Sequence, residues 1–150
     1  MFQLPLARGA SPTQLLLGQL SITHMRTSPD GRAMTFVAGG YEGRMDVYVS
    51  TVPVTSAPLL VAEGVSSPAI WSRNGRQIYY VSRDSTMMTR AVSTVPRLTA
   101  RAPEQLFKLQ RPAYLQDVSR DGRFLLLVPL VQTNPHPIAV WIAAIASTQR

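Results

Sequence analysis

Ser28-Pro29-Asp30-Gly31-Arg32 returns as Ser72-Arg73-Asn74-Gly75-Arg76, and again as Ser119-Arg120-Asp121-Gly122-Arg123, at spacings of 44 and 47 residues. Each copy lies between an apolar stretch and a strand-like run. Asp30, Asn74 and Asp121 can accept hydrogen bonds from nearby backbone N–H groups, and Gly31, Gly75 and Gly122 tolerate positive φ. Asx-Gly between two apolar runs is the strongest short hairpin signal a sequence offers. A period of this length, with such turns between β-rich segments, is the pattern of a four-stranded propeller blade.

The strands around the turns are legible one by one. After the turns come Ala33–Ala38, Gln77–Ser82 and Phe124–Val128, and before the second and third come Ala69–Ser72 and Tyr114–Ser119. Third strands follow at Met45–Ser50, Met87–Val92 and Ile138–Ile142, with shorter fourth strands near Pro58–Ala62 and Gln105–Leu109. No segment sustains a 3.6-residue apolar period, and twelve prolines oppose long helices. The expectation is an all-β fold of β-propeller repeats, about three four-stranded antiparallel blades over residues 22–62, 68–109 and 113–145. A generic antiparallel sandwich competes, but its strands would not repeat as a set of four. Residues 1–21 fit no blade. Thr13-Gln14-Leu15-Leu16-Leu17 within them is a candidate outer strand for the last blade, should the ring close.

From Thr27 to about residue 145 the chain resembles the TolB-like, WD-related β-propeller repeats of bacteria. The likeness rests on the three turns, on Asp46-Val47-Tyr48-Val49, on Pro68-Ala69-Ile70-Trp71-Ser72 and on Arg111-Pro112-Ala113-Tyr114. It is strongest to the propeller that follows the kinase domain in bacterial membrane serine/threonine protein kinases. The second and third turns depart from it, with Arg73 and Arg120 where the first has Pro29. The glycine-rich phosphate loop, His-Arg-Asp and Asp-Phe-Gly of a kinase domain are absent from the sequence, so no kinase activity carries over. The resemblance implies a sensor or scaffold region of a larger signalling protein, extracytoplasmic if it belongs to a membrane kinase.

Three blades fall short of the about four to eight of closed propellers. The expectation is therefore a piece of a larger propeller, or a chain that completes its ring by self-association. No cysteine is present, which removes disulfides and thiol chemistry. Arg8 interrupts the apolar character of residues 1–20, so no signal peptide is legible, and no run reaches the ~20 apolar residues of a membrane helix. The net charge of +7 comes from fourteen arginines and one lysine against eight acids. These arginines are scattered without interleaved aromatics, an argument against nucleic-acid binding.

Catalytic constellations are missing from the sequence. His24 and His136 have no acid within five positions, which disfavours a metal site, and no Gly-x-Ser-x-Gly motif occurs. Neither cofactor nor metal is expected. Trp71, Trp141, Tyr48, Tyr79 and Tyr80 fall in strands and read as core. The functional expectation is a non-catalytic binding or scaffold module for a protein or small ligand. The alternative is the accessory propeller of a prolyl-oligopeptidase-type hydrolase whose catalytic domain is encoded elsewhere. In a propeller, the loops joining second and third strands share a face with the inter-blade connections. That topology nominates Tyr41, Glu42, Arg44, Arg83, Asp84, Arg111 and His136 as ligand or partner contacts.

Overall fold

In the computed structural model, the structure describes residues 2–3, 9, 11, 13–14, 21–39, 45–129 and 141–143, with side chains described from 21 to 39 and from 45 to 129. Every regular element among them is a strand, and every strand pairing is antiparallel. The first pair, β1 (Phe2–Gln3) and β2 (Thr13–Gln14), stands as a small ribbon of its own. Thr13 and Gln14 therefore pair with Gln3 and Phe2, while Leu15–Leu17 lies outside the described residues.

Three larger sheets follow in chain order. The first runs β3 (Ser21–Thr27), β4 (Ala33–Gly39), β5 (Met45–Thr51) and β6 (Leu59–Ala62), each strand pairing with the next. The second runs β7 (Ile70–Trp71), β8 (Gln77–Val81) and β9 (Thr86–Ser93). Its outer edge is a broken strand, since β10 (Thr99–Ala100) and β11 (Glu104–Lys108) both pair with β9. Pro103 sits in the break and has no N–H to add to the ladder; the Arg101 N–H still reaches the Ala91 carbonyl at 3.0 Å. The third sheet holds β12 (Tyr114–Val118), β13 (Phe124–Leu127) and β14 (Trp141–Ala143). Residues 138–140 of the expected third strand lie outside the described residues.

The middle sheet separates two cores. Strand alternation sends Ile78, Tyr80 and Trp71 toward the first sheet, where they meet Val37, Val47, Val49 and Val61. The alternate residues Val81 and Met87 join Leu115, Val118, Phe124 and Leu126 of the third sheet. β4 is buried at every position from Ala33 to Ala38, which is why it reads as an unbroken apolar run rather than an alternating one. Phe36 stacks on its cross-strand neighbour Tyr48 with ring centroids 5.6 Å apart.

Between the first and second sheets the chain is stitched to both. The Val65 N–H donates to the Met45 carbonyl at 2.9 Å and the Ser66 N–H to the Val81 carbonyl at 2.8 Å. The buried Asp46 carboxylate accepts from the Gly64 N–H at 2.9 Å. Arg90 clamps the far side, its guanidinium donating to the Val61 and Arg101 carbonyls at 2.5 Å each.

Candidate functional site

Each large sheet begins with a strand and a turn of one construction. In the first, the buried Ser28 hydroxyl donates to Asp30 Oδ1 at 2.6 Å and accepts from the Ala33 N–H at 2.9 Å. Asp30 Oδ1 also accepts from the Arg32 N–H at 3.1 Å. Ser72 and Asn74 repeat these contacts with Gln77 and Arg76, and Ser119 and Asp121 repeat the serine contacts with Arg123. The glycines stand at φ 71°, 69° and 81° (Gly31, Gly75, Gly122), in the left-handed region that favours glycine. Hydrogen bonds from Ser28 and Ser119, foremost among the causes, hold the Asp30 and Asp121 carboxyls below the usual carboxylate value.

The three turns meet. A Cβ placed on Gly75 would come 3.5 Å from Pro29 Cδ, and Arg73 Nε donates to the Val118 carbonyl at 3.2 Å. Behind them, β3, β7 and β12 border a cleft of 560 Å³. Arg26 and Thr27 of β3 and the turn residues Ser28 and Pro29 form one wall, and Gln116 and Asp117 of β12 form the other. Ile70 and Trp71 line the cleft between them, and Arg73 reaches across the mouth to within 4.0 Å of Asp117. The Trp71 indole is tied down by its N–H, which donates to the Arg26 carbonyl at 3.2 Å.

Two β-bulges shape this cleft. β3 spends two residues, His24 and Met25, against one of β4, with His24 at φ 51°. β12 has Gln116 as the extra residue between Leu115 and Asp117. A bulge bends its strand and re-aims the side chains beside it, and such features gather next to binding sites. Here they fall at Arg26 and Gln116, both of which line the cleft. The alternation of β-residues carries no advance sign of either bulge, although a non-apolar Thr23-His24-Met25-Arg26 run in a strand was a usable hint.

The residues nominated from sequence fall elsewhere. Tyr41, Glu42, Arg44 and His136 lie outside the described residues. Arg83 and Asp84 occupy the β8–β9 turn, and Leu109 N–H donates to the Ser85 carbonyl at 2.8 Å, bringing Arg111 to the same end of the sheets. None of these three lines the cleft, which opens beside the opposite turns. Asp84 is engaged within its own turn, accepting from the Ser82 and Thr86 hydroxyls, which hold its carboxyl below the usual value, with Lys108 3.8 Å away.

Among the described residues no group of three or more His, Asp or Glu side chains is arranged to hold a metal ion, and no helix is long and apolar enough to cross a membrane. In comparisons with known proteins, no family model, no curated protein and no solved structure matches the chain.

Proposed function

We propose that the chain is a non-catalytic binding module assembled from TolB-like, WD-related β-propeller blades, and that the cleft bounded by β3, β7 and β12 is its ligand seat. One observation carries the reading: three antiparallel sheets, each opened by the same serine-capped turn, bring their first strands to a single cleft whose flanking strands are both bulged. Loops and strand ends on a rigid β scaffold are where recognition residues concentrate. The cleft offers guanidinium, amide and indole groups, which bind and orient, but no nucleophile with a base beside it.

On this reading the module serves as the sensor or scaffold part of a larger bacterial signalling protein, and a second copy can supply the blades that three sheets lack. Purified chain examined by light scattering is expected to give a β-rich dimer of twice 16.5 kDa. A monomer, or a polydisperse series, removes self-completion of the ring. The site itself is tested by selecting ligands from a displayed random-peptide library. Binding is expected to fall about tenfold in Arg26→Ala and Gln116→Ala, as lost hydrogen bonds to a charged or polar ligand imply, and to persist in Arg111→Ala. Selected ligands insensitive to both cleft substitutions, or turnover of ester, peptide or phosphate substrates by the pure chain, would overturn the proposal.

A further inference from the structure

The turn end of the sheets carries more positive charge than its fold requires. Arg32, Arg73, Arg76, Arg120 and Arg123 all stand exposed on three turns that touch one another. Two of the carboxylates there are already engaged: Asp30 by Ser28 and the Arg32 N–H, Asp121 by Ser119 and by Arg123 Nε at 2.8 Å. Asp117 lies 4.0 Å from Arg73. The middle turn differs from its neighbours in having Asn74 where they have aspartate, so Arg73 and Arg76 flank a neutral residue at the centre of the array. Neither Arg76 nor Arg120 makes an ion pair with another described residue.

This charge surrounds the mouth of the cleft, and the two features together define a chemistry. Resting on the cleft reading above, we infer that the site takes an extended acidic peptide, its carboxylates on the arginine rim and one apolar side chain entering beside Ile70 and Trp71. Guanidinium groups pair carboxylates bidentately, and exposed ones at a rim act mainly through long-range attraction. A cleft of 560 Å³ suits a side chain or two rather than a duplex. Single-stranded nucleic acid needs aromatic platforms beside its cations. The only aromatic among the exposed large apolar side chains of the described residues is Tyr114, which begins β12 a full strand away from the Ser119–Arg123 turn.

The test is fluorescence anisotropy with a labelled peptide alternating Glu and Leu, alongside labelled oligothymidylate and vesicles containing anionic lipid. The peptide is expected to bind, to weaken with added salt, and to lose about tenfold or more in affinity in the Arg76→Glu/Arg120→Glu double variant. The Arg76→Lys/Arg120→Lys variant keeps most of the binding, and Arg83→Glu/Arg111→Glu at the other end leaves it unchanged; circular dichroism verifies that each variant is folded. Equal losses from both ends, no binding of the peptide, or oligothymidylate or vesicles bound through Arg76 and Arg120 in its place would overturn the inference. If the acidic peptide fails while library-selected ligands still depend on Arg26 and Gln116, the ligand class falls and the binding-module reading survives. If those ligands also ignore the cleft, both fall.

Discussion

At one end of the middle sheet the chain turns through Ser72–Gln77 with Gly75 at φ 69°; at the other it turns through Ser82–Thr86 with Ser85 at φ 63°. The hydrogen bonds are the same. Each opening serine hydroxyl donates to the Asx side chain two residues on and accepts a backbone N–H at the start of the next strand, from Gln77 at 3.0 Å or Thr86 at 3.2 Å. Each serine N–H donates to the carbonyl of that same residue, at 2.8 and 2.9 Å. The comparison separates two ingredients of the repeat. Serine and Asx build the turn, and glycine lowers the conformational cost of its left-handed residue. What differs is surroundings: Ser72 is buried against the neighbouring turns, whereas Ser82 is only half-buried.

The sharpest way to break that comparison is to remove the hydroxyls. Ser72→Ala leaves the Gln77 N–H and the Asn74 side chain without their shared partner in a buried setting, and is expected to cost about 1–3 kcal/mol. Ser82→Ala, where water can replace the hydroxyl, is expected to cost less than half as much. Chemical denaturation of the two variants reads the difference directly, and equal costs would mean burial does not distinguish the turns.

Exchanging the left-handed residues comes next in size. Gly75→Ser is expected to destabilise by about 1 kcal/mol, since a side chain disfavours this backbone region, while the space beside it imposes only ordinary contact with Pro29. Ser85→Gly is expected to stabilise by a few tenths of a kcal/mol, the strain relieved being offset by the freer unfolded chain. Thermal unfolding midpoints moving in opposite directions for the two variants bear this out; movement in the same direction refutes it.

The smallest effect is on acid stability. Asp30, Asp84 and Asp121 have folded-state pKa values depressed below the reference value of 3.8. Depressed carboxyls stabilise the fold fully above the unfolded value, and that contribution disappears as pH falls through the folded values. Stability is thus expected to decline below about pH 3.8, less steeply once Asp30 and Asp121 are replaced by Asn. Because Asn74 does not titrate, Asn74→Asp is expected to make the middle turn acid-sensitive like its neighbours. Unfolding midpoints measured from pH 5 down to pH 2 test this, and a variant profile parallel to that of the unmodified chain would defeat it.

Much of the fold was legible because its signals are local. Strand bounds such as 45–50, 77–82 and 114–119 fall within a residue or two of β5, β8 and β12, since Asx-Gly turns and β-branched runs act over a few neighbouring residues. A second repeat was equally available in Ser50-Thr51-Val52-Pro53 and Ser93-Thr94-Val95-Pro96, whose Val-Pro bonds are both cis. The Ser82 turn was hidden because the eye follows glycine, and Ser82-Arg83-Asp84-Ser85 has none. Arg83 and Asp84 therefore read as free loop residues, although the spacing of Ser82 and Asp84 matches that of Ser72 and Asn74.

What the sequence by itself determined is the set of hairpins, the all-β class and the positive charge, all consequences of residue chemistry within a few positions along the chain. Only the tertiary structure decided that the middle sheet is buried on both faces, that bulges re-aim Arg26 and Gln116, and that three turns some 44 and 47 residues apart stand together around one cleft. Those facts depend on how sheets stack and which strand ends meet, and packing between distant segments leaves no periodic mark in the residues that it joins.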